Sequence, residues 1–98
     1  MATPLDDTAL QQFLKAHPGW RHEANALVCT FEFGAFLQGL RFVQSLGQLA
    51  EAADHHPDID VRWRKVTLRF TTHDAGNRVT DLDTRLAHEA ELIARTTA

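Results

Sequence analysis

Tyrosine is absent from this 98-residue chain, cysteine and methionine occur once each, and proline only three times. A lone Cys29 can close no internal disulfide and supplies no cysteine pair for a zinc motif. It sits in the apolar stretch Ala26-Leu-Val-Cys-Thr-Phe31 and reads as strand packing rather than as a nucleophile. No apolar run reaches the roughly 18 residues of a membrane span, and the N-terminus lacks the basic start and apolar core of a secretion signal; a cytoplasmic location is expected. Positive charge is not in excess either: 10 Lys and Arg against 13 Asp and Glu leave a net charge of -3. No global positive field would gather nucleic acid or an anionic membrane surface. Without a glycine-rich phosphate loop or a Gly-x-Ser-x-Gly elbow, phosphoryl and acyl transfer fall away.

What is present fits one small globular domain over residues 1–98: the hydrophobic fraction is 44% and the charged fraction 23%, close to soluble averages, with no linker or internal repeat. Thr3-Pro4-Leu5-Asp6 has the form of a helix start, with proline at the first helical position. Leu10, Phe13 and Leu14 share a face, and His17-Pro18-Gly19 stops the helix near Ala16. Two β-like runs follow, Trp20 to Glu23 and Leu27 to Phe33, joined by Ala24-Asn25-Ala26 as a hairpin. From Ala35 to Ala53 apolar residues recur at helical spacing, through Phe36, Leu40, Val43, Ala50 and Ala53. Leu37, Phe42, Leu46 and Leu49 widen that surface, which points to burial on two sides and to oligomerisation.

After Pro57 the period changes to two. Ile59, Val61 and Trp63 alternate with polar residues, then Val66, Leu68 and Phe70 do the same, so the apolar set changes parity at Arg64-Lys65 and a hairpin is expected there. Thr80-Asp81-Leu82-Asp83 opens a final helix that runs to near Arg95 through Leu82, Leu86, Ala90 and Ile93. The order α-β-β-α-β-β-α predicts an α+β, two-layer fold, an antiparallel sheet covered on one face by helices.

The chemistry gathers at Glu51-Ala-Ala-Asp54-His55-His56-Pro57 and at His73. Imidazoles titrate near neutrality, so three of them in one place could both give and take protons. Equally, His55 could cap the helix end against its dipole while His56 is merely exposed. A metal reading, with His55, His73 and Asp54 or Asp58 as ligands, gains little from the spacing, because no His-x-x-x-His lies on a helix.

Seven positions over about a third of the chain, Glu51, His55, His56, Pro57, Trp63, His73 and Asp83, resemble the signature of the pterin-4a-carbinolamine dehydratases. Gly19-Trp20 and Thr72-His73-Asp74 agree with it. The resemblance implies a four-stranded antiparallel sheet with three helices on one face. It also implies dehydration of 4a-hydroxytetrahydropterin to quinonoid dihydropterin, recycling the pterin of aromatic amino acid hydroxylases, with no metal or organic cofactor. On that basis His55, His56 and His73 take the catalytic positions, His55 and His73 as proton donor and acceptor in an order left open, and His56 holding the pterin. Asp54, Thr71, Thr72 and Asp74 match positions lining the pterin pocket. Glu51, one turn before His55, either orients that ring or forms a surface ion pair; Trp20 either closes the pocket or is core. Trp63 and Asp83 read as structural, and His17, His22 and His88, outside the pattern, as exposed. Asn77-Arg78 makes the loop after His73 about one residue longer than is common in the family, and Arg62 to Arg64 form a bulky basic strand end. The family also implies a homo-oligomer, a tetramer built from dimers, and contains protein-binding members; a non-catalytic dimerisation or assembly role is the alternative.

Overall fold

Residues 2–98 are described by a computed structural model. Three helices, α1 (Asp7–Ala16), α2 (Phe36–Ala53) and α3 (Asp81–Thr96), accompany four strands, β1 (Arg21–Glu23), β2 (Ala26–Glu32), β3 (Asp58–Arg62) and β4 (Lys65–Phe70). The sheet is antiparallel throughout, in the order β1-β2-β4-β3, with the helices on one face. This is the α+β order expected from periodicity.

Both hairpins close through left-handed backbone. Ala24 and Asn25 lie at φ 48° and 65°, the conformation that lets a two-residue turn follow the twist of its strands. At the second hairpin Arg62 pairs with Lys65, and Trp63 takes φ 54° where a glycine would be the usual choice. Its 71% exposed ring lies 4.4 Å beneath the Arg64 guanidinium. The parity change is thereby resolved: Ile59 faces Leu68 and Val61 faces Val66 on one side of the sheet.

One expectation needs correction. Pro4 is not the first helical residue. Leu5 N–H donates to Val79 O at 2.9 Å and Pro4 bridges Thr80, which keeps this segment extended; Asp6 is the cap, its Oδ1 accepting from Ala9 N–H at 2.8 Å. In α2 the buried residues are Gly39, Phe42, Leu46 and Ala50, a stripe at i, i+3 or i+4, whereas Phe36, Leu37 and Leu40 are 44%, 62% and 37% exposed. The broad apolar surface therefore divides into an inner face and an uncovered one. At Gly39 a Cβ would lie 3.4 Å from Val66 and 3.5 Å from Phe33, in ordinary van der Waals contact, so the approach of α2 to the sheet does not itself require glycine.

The core joins Leu27, Phe42, Leu46, Val66, Leu68 and Phe70, all fully buried, with Leu10 of α1 and Leu86, Ala87 and Ala90 of α3. Cys29 faces this core, as its apolar surroundings foretold. Burial, reinforced by the charge of Glu91, pushes its thiol up to about 11.

Candidate active site

The end of α2, the loop after β4 and the first turn of α3 meet around one carboxylate. Asp54, in left-handed backbone (φ 50°), caps α2 with its N–H on the carbonyls of Ala50 and Glu51, and Pro57 forbids continuation. The turn at Asp54 sends His55 inward, its ring nearly parallel to that of Phe70 at 6.5 Å. There Nε2 lies 2.6 Å from Asp83 Oδ1, with the two side chains 10% and 0% exposed. A carboxylate oxygen accepts, so Nε2 carries the proton and Nδ1 is left as the ring nitrogen available for chemistry.

Asp83 is at the third position of α3 and completes a capping box with Thr80. Its Oδ2 accepts from Thr80 N–H at 2.9 Å and from Thr72 Oγ1 at 2.8 Å. Thr72 and Thr80 hydroxyls are themselves 2.8 Å apart, and Leu82 N–H donates to Thr80 Oγ1. Each hydroxyl has one proton, so the direction is determined: Leu82 N–H to Thr80, Thr80 to Thr72, Thr72 to Asp83. Three donors and the positive end of α3 surround this buried charge.

Thr72 also closes the base of the His73 loop. Its N–H donates to Arg78 O at 3.0 Å and Arg78 N–H returns to Thr72 O at 3.4 Å. Within the loop, His73–Ala75 form a single 3₁₀ turn, followed by Gly76 and Asn77 in left-handed backbone at φ 73° and 59°. The exposed His73 ring places Nδ1 2.7 Å from Asn77 Oδ1. Thus Asp83 anchors His55 directly and the loop bearing His73 through Thr72.

The remaining expected residues distribute unevenly. His56 is exposed and its Nε2 meets Glu51 Oε1 at 2.8 Å. Glu51 therefore pairs with His56 and not with His55: α2 ends at Ala53, so the i, i+4 relation to His55 does not survive. Asp54 and Asp74 are exposed, and Thr71 is partly buried with its hydroxyl on Asn25 O at 2.9 Å. Thr72 is not a pocket-lining side chain; it is 5% exposed and spends its hydroxyl on Asp83. Trp20, expected either to close the pocket or to be core, is core: it is 4% exposed, packs against Phe31 and Phe70, and donates its indole N–H to Glu91 Oε1 at 2.7 Å. His17 is only partly exposed, stacked on Phe13 with Nδ1 on Phe13 O and Nε2 3.2 Å from His88 Nδ1.

A groove of about 610 Å³ between β2 and the C-terminal half of α3, lined by Cys29, Phe31, Phe33, Gln38, Glu91 and Arg95, contains none of the expected catalytic residues. Glu91 is two helical turns beyond Asp83, roughly 12 Å along α3. Among the described residues no three His, Cys, Asp or Glu side chains converge as metal ligands. Two polar contacts were not anticipated. Thr80-x-x-Asp83 was legible as a cap, but nothing in its spacing ties it to a histidine 28 residues earlier, and Asn77 carried no signal beyond loop length.

Comparison with known proteins identifies the family and the fold. The model of the family "Pterin 4 alpha carbinolamine dehydratase" matches residues 3–93. A Roseiflexus sp. (strain RS-1) protein provisionally named for this dehydratase is 46% identical over 93 residues, covering 95% of this chain and 99% of its own. A Mycobacteroides abscessus protein with the same provisional name is 43% identical over 83 residues, 85% of this chain and 87% of its own. The crystal structure of a transcriptional coactivator/pterin dehydratase from Brucella melitensis superposes with a TM-score of 0.87 at 29% identity, covering 93% and 98% of the two chains. A pterin dehydratase-like protein described as a RuBisCO assembly factor in the alpha-carboxysome shares the fold alone, with a TM-score of 0.66 at 23% identity over 78% and 89%. With the family model matched over residues 3–93, relatives more than 40% identical over most of the chain and a shared fold, the chain belongs to the pterin 4 alpha carbinolamine dehydratase family.

Proposed function

We propose that this protein dehydrates 4a-hydroxytetrahydropterin to quinonoid dihydropterin by histidine acid–base catalysis. The observation that carries the reading is the Asp83 carboxylate, which holds His55 at 2.6 Å and, through Thr72, the loop of His73. The reaction asks for a proton on the 4a-oxygen, cleavage of the C4a–O bond with its electron pair leaving in water, and loss of the N5 proton as the N5–H pair becomes the N5=C4a double bond. Nothing is oxidised or reduced overall, so the chemistry calls for no redox cofactor.

His55 serves as proton donor and His73 as acceptor. His55 has a buried carboxylate behind it and His73 a neutral amide, and that difference in partner motivates the assignment. In this reading the pterin is held by His56, itself steadied by Glu51, together with Asp54, Thr71 and Asp74. A separate two-electron reduction of the quinonoid dihydropterin then restores the tetrahydropterin used by an aromatic amino acid hydroxylase. The uncovered Phe36, Leu37 and Leu40 of α2 favour assembly with further copies of the chain, with the dimer or tetramer as the working form.

The test is stopped-flow decay of chemically generated 4a-hydroxytetrahydropterin with chelator-treated protein. Wild type accelerates it, His55→Ala and His73→Ala each lose about 10²–10⁴-fold, and chelation changes nothing. Folded wild type without acceleration sinks the dehydratase reading and leaves the non-catalytic assembly role.

A further inference from the structure

We infer that Asn77 is a positioning residue that holds His73 in the Nδ1–H tautomer, so that Nε2 is the bare nitrogen offered to substrate. Asn77 Oδ1 lies 2.7 Å from His73 Nδ1, at the short end for N–H···O. An amide oxygen only accepts, so the proton on the neutral ring belongs to Nδ1. Backbone geometry supports the contact. Gly76 N–H donates to His73 O at 3.0 Å and the Thr72–Arg78 bridge closes the loop below it. Two consecutive left-handed residues, Gly76 and Asn77, then bring residue 77 back toward residue 73. The left-handed φ alone would explain a glycine, an asparagine or an aspartate at 77; the short contact distinguishes the amide from the glycine.

His73 is exposed and, unlike His55, has no buried partner to restrict it. Without Asn77 its ring would be free to rotate and to exchange tautomers. The loop thus supplies the ring's orienting group from within five residues of chain. For His55 the same task falls to Asp83, which fixes the opposite tautomer, with the proton on Nε2. One histidine offers Nδ1 and the other Nε2, each locked from behind.

This inference rests on the dehydratase reading for its kinetic consequence but not for its structural one, and the experiment separates them. Long-range ¹H–¹⁵N spectra of the imidazoles are recorded for wild type, Asn77→Gly and Asn77→Asp, with pH–rate profiles beside them. Glycine keeps the left-handed backbone and removes the acceptor; aspartate retains an oxygen. Wild-type His73 is expected as the Nδ1–H tautomer. Asn77→Gly shifts it toward the Nε2–H form and lowers kcat about tenfold with KM within about twofold, and Asn77→Asp restores the tautomer and most of the rate. A wild-type ring in the Nε2–H form overturns the inference, as does a rate loss in Asn77→Gly with the tautomer unchanged. Should the tautomer shift as expected in a wild type that accelerates no dehydration, the positioning role stands and the dehydratase reading fails.

Discussion

Asp83 shows how much one side chain can be asked to do. Its two oxygens take His55, Thr72 and the Thr80 amide inside a fully buried pocket. Replacement by asparagine puts an NH₂ where only donors point, leaving at least one unsatisfied. Asp83→Asn should therefore lose roughly 2–4 kcal/mol of stability and, in the fraction that remains folded, about 10²-fold or more in dehydration rate; urea titration and stopped flow read the two effects separately, and a variant of native stability would contradict this network. The cap was legible in Thr80-x-x-Asp83, but its bond to His55 was not, because hydrogen bonds across 28 residues leave no periodic trace. Cys29 offers a pH-dependent counterpart. Its thiol rises from 9.0 to about 11 in the folded chain, so between these values the unfolded state has lost a proton that the native state keeps. The unfolded state then binds fewer protons, and stability falls as pH rises, by up to about 3 kcal/mol. No tyrosine titrates in that window to obscure it. Urea midpoints across the window should decline less in Cys29→Ala; an equal decline in both proteins would show that the thiol is not the cause.

At the level of elements, periodicity was a good guide where each segment obeyed its own pattern. The alternation around Ile59 to Phe70 gave the β3–β4 hairpin its face and register, and α2 was bounded to within a residue at its start. Errors arose where a partner from elsewhere in the chain intervened. Val79 draws Leu5 into an extended bridge, delaying α1 until Asp6 can cap it. The end of α2 at Ala53 removes the helical geometry that would have joined Glu51 to His55, and the pair forms with His56 instead. Trp20 could be pocket or core by sequence; its indole N–H had a core partner in Glu91 of α3, a pairing 71 residues apart. The three catalytic candidates were legible as residues because their motif is recognisable, while the shell that orients them was not.

For the whole molecule, fold class followed from two independent routes, the alternation of helical and strand periods and the family signature, and the four-stranded sheet satisfies both. The surface of α2 left open by that fold has its own consequence. A single copy exposes Phe36, Leu37 and Leu40 in one region, and apolar area of this kind is more often covered than solvated. Light scattering coupled to size exclusion should give a dimer or tetramer for wild type, reduced toward monomer in Leu37→Glu/Leu40→Glu; a wild-type monomer would remove the assembly proposal. The buried Asp83 has a further implication at this scale. Because the carboxylate that starts α3 is also the grip on His55, a copy whose first turn has frayed no longer orients that ring. On the dehydratase reading, damaged molecules fall silent rather than sloppy, and the catalytic rate of a preparation doubles as a census of intact first turns in α3.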